Sequence, residues 1–209
     1  MRIINAQVFL EQALSQEEVL RHIEKAGRVC YKSESKISDH SAEKFVENII
    51  RSGHESVIEH FSITFRIICD RGVTHELVRH RIASYSQEST RYCNYSNDSF
   101  GNELTFIKPC FWDENDKNYL IWKEAMQNAE KYYLELMKNG AKPQEARDVL
   151  PNSVKTEIYV TMNIRSWRNF LKLRTSKRAH PQMREIAFMI YNCLYDNLPI
   201  LFNDIEIEE

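Results

Sequence analysis

The chain reads as an α+β protein, with a central antiparallel sheet packed by helices in a single domain covering residues 1–209. Three observations predict this. The segment Phe61-Ser62-Ile63-Thr64-Phe65-Arg66-Ile67-Ile68 alternates strictly, which puts Phe61, Ile63, Phe65 and Ile67 on one side of a strand. Helical periodicities with their own start and stop signals lie before and after it. Strands and helices then mix without a βαβ repeat, which separates this class from a doubly wound sheet. A 209-residue chain with 43% hydrophobic residues supplies one substantial core.

In chain order, Ile3 to Leu10 reads as an edge strand. Ser15 and Glu18 form a capping-box pattern opening a helix whose Val19, Leu20 and Ile23 share a face before Gly27. A second helix covers Ser41 to Ser52, with Phe45, Val46, Ile49 and Ile50 inward and Gly53 as its stop. After the alternating strand, Thr74 to Arg81 reads as helical with Leu77 and Val78 inward. The turn-rich run from Asn94 toward Pro109 makes a surface excursion containing a short strand, Leu104 to Ile107. A long helix follows from Asn115 to Asn139, its apolar stripe made of Leu120, Ala125, Ala129, Tyr132, Leu136 and Met137. Pro143 starts a short helix ending at Leu150-Pro151, and Ser153 to Met162 reads as a strand. The next helix starts at Asn163-Ile164-Arg165-Ser166, with Ser166 able to cap it and Phe170 and Leu173 inward. Gln182 to Tyr195 forms a final amphipathic helix, and the acidic tail Asp204 to Glu209 is expected to fray.

Composition narrows the function. Lys plus Arg number 28 against 30 Asp plus Glu, a formal net charge of −2, where a nucleic-acid binder would carry a basic surplus. Five scattered cysteines without a C-x-x-C pair argue against a disulfide frame or a structural zinc site, and fit a reducing cytoplasm. No apolar run reaches membrane-spanning length, and Met1 to Gln7 lacks the pattern of a secretion signal. His54-Glu55 and His75-Glu76 both miss the second histidine four residues on, where Ile58 and Arg79 stand, so no metal is expected. The glycines are isolated, so bound phosphates must be gripped by side chains rather than by a glycine-rich turn.

The stretch from Arg79 to Tyr92 concentrates the side chains for that task. Arg79, Arg81 and Arg91 are permanent cations with planar donor forks, suited to phosphate, carboxylate or an enolate-like oxygen. His80 and the hydroxyls of Ser84, Tyr85, Ser86, Ser89, Thr90 and Tyr92 are interleaved with them, where a merely solvated face would carry Lys, Glu and Gln.

Arg79-His80-Arg81, then seven residues and Ser89, resembles the RHR-x7-S signature of the flavin-dependent thymidylate synthases, and Ile82-Ala83-Ser84-Tyr85 and Arg91-Tyr92 extend the likeness. Ala146-Arg147-x-x-Leu150-Pro151 resembles that family's second nucleotide-binding element. Asn163-x-Arg165-Ser166-x-x-Asn169-Phe170-x-x-x-Arg174 is similar to a third family pattern. The resemblance implies reductive methylation of dUMP to dTMP, with 5,10-methylenetetrahydrofolate as carbon donor, FAD as the hydride-carrying cofactor and NADPH as its reductant. It implies flavin contacts at His54, Ser56, Arg79, His80, Arg81, Ile82, Gln87, Asn163, Arg165, Asn169 and His180. It implies dUMP contacts at Glu76, Arg79, Gln87, Glu88, Ser89, Thr90, Arg91, Arg147 and Arg174, with Arg174 catalytic. A homotetramer with sites shared between chains and a cytoplasmic location belong to the same expectation.

Overall fold

A computed structural model of the chain describes residues 1–97 and 100–208; expectations touching Asp98, Ser99 and Glu209 lie outside the described residues. Its strands are β1 (Arg2–Ile4), β2 (Gln7–Leu10), β3 (Ser62–Asp70), β4 (Ala83–Gln87), β5 (Thr105–Ile107) and β6 (Lys155–Asn163). Its helices are α1 (Gln16–Val29), α2 (Ser41–Arg51), α3 (Arg71–Leu77), α4 (Lys117–Lys138), α5 (Pro143–Ala146), α6 (Ile164–Arg174), α7 (Pro181–Asn197) and α8 (Pro199–Phe202). Short 3₁₀ turns occupy Glu34–Lys36, Glu55–His60 and Arg147–Val149.

Four strands form one sheet in the order β2-β3-β6-β4. Ile164 N donates to Phe61 O, the hydroxyls of Thr64 and Thr161 meet at 2.9 Å, and Arg71 N donates to Asn152 O. One index falls as the other rises, so β3 and β6 run antiparallel. The expected edge strand is divided after Ile4: β2 joins this sheet, while β1 pairs in parallel with β5 in a separate two-stranded sheet. In β3, Ile63, Phe65 and Ile67 are fully buried as the alternation predicts, but Phe61 stands ahead of the strand and is half-buried. A strand over Ala83–Gln87 was not expected, because its alternation is written in serines rather than apolar residues.

By contacts the chain divides into two compact units. The first comprises Met1–Gln7, Ile67–Arg79 and Ser86–Ile158. Its core gathers Leu104, Phe106 and Val154 with Tyr119, Trp122, Met126 and Tyr133 of α4. The buried face of α4 is therefore rotated from the expected stripe, and Leu120 and Tyr132 are exposed. Both stripes satisfy the helical period; the larger aromatic surface takes the core because burial energy grows with apolar area. Val78, expected inward after α3, is likewise exposed.

The second unit comprises Val8–Arg66, His80–Tyr85 and Tyr159–Glu209. Ser15 caps α1 by accepting from Glu18 N, and Val19, Leu20 and Ile23 are buried. Gly27 does not end α1, which continues to Val29; a Cβ there would lie 2.6 Å from Phe45 and 2.9 Å from Val57, so glycine permits close packing instead. Trp167 of α6 is fully buried, stacks edge-on with Phe65 at 5.2 Å and donates its indole N–H to Ile63 O at 3.0 Å, which fixes α6 on β3. Truncating so large a side chain costs about 3–5 kcal/mol. Leu173, expected inward, is exposed.

The tail is held rather than frayed over its described residues. Arg168, 2% exposed, forms a bidentate pair with Asp204 at 2.6 Å and also donates to Leu201 O. The Glu208 carboxylate accepts from Lys177 N at 2.8 Å, and Ile205 is buried. Among the described residues, no helix is long and apolar enough to cross a membrane.

Candidate active site

Two groups of functional side chains emerge, one in each unit. In the second unit, β6 delivers Asn163 to the start of α6, where its side chain accepts from Ser166 N at 2.8 Å and caps the helix, the role expected of Ser166. On α6, Arg165, Asn169 and Lys172 are spaced i, i+4, i+7 and share one face. They line a cavity of about 340 Å³ together with Asn163, Ser166, Glu55, Glu59, His80, Arg81 and Ile82. A second hollow of about 280 Å³ shares Glu59, Ile82 and Asn163 and extends along Ser84 and Thr161.

Ile82 has a φ of +62°, a left-handed conformation that is a true outlier for a β-branched residue. Such strain costs on the order of 1–3 kcal/mol and persists where the surroundings enforce it. Here the backbone turns between Arg81 and β4, and the Ile82 side chain stands 75% exposed on the cavity wall.

His80 is buried, edge-on to Phe170 at 5.0 Å, and its Nε2 accepts from Arg174 Nε at 2.9 Å. An accepting Nε2 requires the neutral ring with its proton on Nδ1. Burial, followed by the Arg174 guanidinium, lowers the His80 pKa to about 4. The Tyr85 hydroxyl donates to His80 O at 2.7 Å, and burial raises its pKa to about 12. The signature histidine thus orients the arginine at the end of α6, joining two motifs far apart in sequence.

Charge in the cavity is mixed. Arg165 pairs with Glu59 at 2.6 Å, and Glu55 lies 3.3 Å from Arg168, 3.6 Å from Arg165 and 3.9 Å from Lys172. Arg81, Arg165 and Lys172 against two carboxylates leave the wall cationic, which suits an anionic ligand of extended shape.

In the first unit, a cavity of about 250 Å³ is lined by Arg71, His75, Thr90, Arg147, Asp148 and Asn152. Asp70 caps α3 by accepting from Val73 N at 2.9 Å, and Arg71 N and Gly72 N both donate to Asn152 O. A Cβ on Gly72 would stand 2.9 Å from the Asp70 carboxylate and would have to push this capping group aside. Beyond β4, Tyr92 N and Cys93 N return to Ser89 O, closing a turn that carries Ser89, Thr90 and Arg91. The Ser89 hydroxyl accepts from Arg91 N at 3.3 Å, and the Arg91 guanidinium lies over the Tyr92 ring.

Of the expected flavin contacts, His80, Arg81, Ile82, Asn163, Arg165 and Asn169 line one cavity. His54 and Ser56 are exposed by the Glu55–His60 turn, and His180 is exposed as the cap of α7, accepting from Gln182 N; none of the three lines that cavity. Gln87 donates to the hydroxyls of Thr74 and Thr156, so its amide serves the first unit internally. Of the expected dUMP contacts, Thr90 and Arg147 share a cavity, while Glu76 and Arg79 line neither. The Glu88 carboxylate is occupied by Tyr95 and Lys155. Arg71, His75, Lys172, Glu55 and Glu59 were missed; the α6 spacing alone would have found Lys172.

The family model for the thymidylate synthase complementing proteins matches residues 13–200. The flavin-dependent thymidylate synthase of Pyrococcus furiosus is 41% identical over 154 residues, covering 73% of this chain and 62% of that protein. The enzyme of the same name from Geobacter sulfurreducens is 37% identical over 186 residues, covering 86% of this chain and 78% of that one. Alignment with the Pyrococcus relative thus spans just under two thirds of its length. A solved UMP/dUMP methylase, PolB from Streptomyces cacaoi bound with 5-Br dUMP, superposes with a TM-score of 0.79 and 25% identity, covering 97% of this chain and 96% of that one. A match across nearly the whole chain, together with His80 and Arg81 of the signature lining one cavity with Asn163, Arg165 and Asn169, leads to a single assignment: the chain belongs to the family of thymidylate synthase complementing proteins, the flavin-dependent thymidylate synthases.

Proposed function

We propose that this chain is a flavin-dependent thymidylate synthase, converting dUMP to dTMP with 5,10-methylenetetrahydrofolate as carbon donor and NADPH as reductant. The observation that carries the reading is the cavity shared by His80, Arg81, Ile82, Asn163, Arg165 and Asn169, with Arg174 bonded to His80 on its border.

The side chains of that cavity fit FAD. Arg81, Arg165 and Lys172 offer cationic donors for a pyrophosphate, the α6 N-terminus adds backbone polarity, and Asn169 offers both a donor and an acceptor to a ring edge. When bound, the flavin supplies the hydride chemistry, and the protein supplies position and charge.

The task of Arg174 is electrostatic. Methylation at C5 requires the uracil ring first to become electron-rich at that carbon, with negative charge spreading over the N3/O4 edge, and a preorganised guanidinium there lowers the barrier by about 3–4 kcal/mol. His80, held neutral, can accept from Arg174 without competing as a second cation. Arg71, Arg147, Thr90 and the Ser89–Arg91 turn suit the nucleotide phosphate, each charge-assisted bond contributing roughly 1.5–3 kcal/mol. Ser89 serves as a hydrogen-bonding group: its hydroxyl accepts from Arg91 N, and among the described residues no general base is arranged to activate it. The proposal includes a single catalytic domain working as a cytoplasmic homotetramer with sites shared between chains.

The test is a dUMP methylation assay on purified protein with flavin omitted and then restored. The reading requires dTMP on restoration, together with a yellow preparation that NADPH bleaches. Bleaching without dTMP would make the protein a simple flavin reductase.

A further inference from the structure

Glu88 stands where β4 ends and the Ser89–Arg91 turn begins, and it is tied on four sides. Its backbone N–H donates to Glu157 O at 2.9 Å. One carboxylate oxygen accepts from the Tyr95 hydroxyl at 2.6 Å and the other from Lys155 Nζ at 2.7 Å. Its carbonyl accepts from Arg71 Nη1 at 3.4 Å. The Glu88 and Lys155 side chains are only 13% and 22% exposed, so this ion pair is poorly screened by water.

A carboxylate so engaged is a poor ligand for an anionic nucleotide, and its negative charge would repel a phosphate. Its connections instead run toward the groups that face the phosphate-sized cavity. Arg71 lines that cavity with Thr90 and Arg147, and Thr90, itself buried, lies two residues beyond Glu88. Tyr95 is anchored in turn, its N–H donating to the Tyr133 hydroxyl at 3.4 Å. The turn is therefore pinned on its near side by Lys155 of β6 and on its far side by Tyr95, with Glu88 as the common point.

We propose that Glu88, acting through Lys155 and Tyr95, is a positioning residue that sets Arg71 and the Ser89–Arg91 turn to receive a nucleoside monophosphate. This rests on the function proposed above. Glu88 touches neither substrate nor cofactor; it fixes the groups that grip the phosphate, so its loss weakens nucleotide binding while the flavin cavity, built from other residues, keeps its occupant.

The experiment uses flavin-loaded full-length protein and compares wild type with Glu88→Gln, Lys155→Met and Lys155→Arg. The readouts are dUMP affinity by calorimetry, KM and kcat, flavin content and melting temperature. Glu88→Gln and Lys155→Met are expected to raise Kd and KM for dUMP about tenfold with kcat within about twofold of wild type. Flavin content should be unchanged, and Lys155→Arg should restore most of the affinity. Should Glu88→Gln not fold, the two Lys155 variants carry the test. Unchanged dUMP affinity in the Gln and Met variants overturns the proposal, as does a loss that only parallels melting temperature or flavin content. A wild type that binds no dUMP overturns the functional reading as well, whereas normal wild-type binding with indifferent variants overturns this inference alone.

Discussion

Replacing His80 by glutamine tests the neutral-histidine geometry directly. A glutamine side-chain oxygen can accept from Arg174 Nε as the imidazole Nε2 does, but it does not titrate. Burial and then the Arg174 charge lower the His80 pKa from 6.5 to about 4. Between those values the unfolded chain binds a proton that the folded chain refuses, so the His80 contribution favours folding fully above 6.5 and is lost as pH falls toward 4. Each pKa unit corresponds to about 1.4 kcal/mol, which bounds the loss at about 3.5 kcal/mol; because water still reaches part of the ring, about 2 kcal/mol is expected. Urea unfolding of wild type and His80→Gln at about pH 7 and about pH 4.5 measures it, because carboxylates common to both proteins cancel in the difference. Wild type should lose about 2 kcal/mol more than the variant between the two conditions. Parallel losses would mean that His80 is not held neutral against Arg174, and the account of how Arg174 is oriented would fail.

Three further perturbations separate the roles assigned above. Arg174→Ala should lower dUMP turnover about 10²- to 10³-fold while the flavin absorbance of the purified protein stays near wild type; equal loss of flavin would make Arg174 a cofactor ligand. Ser89→Ala should retain readily measured methylation with a raised KM for dUMP, and a folded but wholly inactive variant would revive the reading of the serine as a nucleophile. Arg168→Ala removes a buried guanidinium that holds Asp204, Glu55 and Leu201 O; because Asp204 can turn to water once released, a loss of about 3 kcal/mol is expected, the lower end for broken buried pairs. Denaturant unfolding would show it, and limited proteolysis would show earlier cleavage of the tail.

What the sequence disclosed and what it hid divide along a physical line. Caps, periodicity and local spacing are written in neighbouring residues, so α1, β3 and α6 are legible in the sequence, whereas a ligand role for Arg165 and Asn169 is implied there only by the family resemblance. The α4 face was misread because two stripes fit one period, and only the rest of the core decides which is buried. The resemblance implies a nucleotide contact at Glu88, but the pairing of its carboxylate with Lys155, 67 residues away, is announced by no local rule. The tail was read as frayed from its acidic composition, but those same charges meet Arg168 and the amide of Lys177.

The scarcity of glycine has a mechanical consequence for a site of this kind. A glycine-rich loop grips phosphate with backbone amides whose positions the fold already fixes, whereas a long flexible arginine must be held by something else to be preorganised. The structure supplies such holders. Arg174 is held by His80, Arg71 by the carbonyl of Glu88, and Arg165 by Glu59. The first two holders are neutral groups and can keep their arginine while it binds an anion. The third is a carboxylate, so an anion approaching Arg165 must share its guanidinium with Glu59 or displace it, and that exchange offsets part of the binding energy. Arginines on neutral holders are ready before the ligand arrives, and these are the ones assigned to the nucleotide and to its charge development; the carboxylate-held arginine lies in the cavity assigned to the flavin. On the proposed function, the neutral holders His80 and the Glu88 carbonyl therefore serve the nucleotide, which must be bound and released at every turnover.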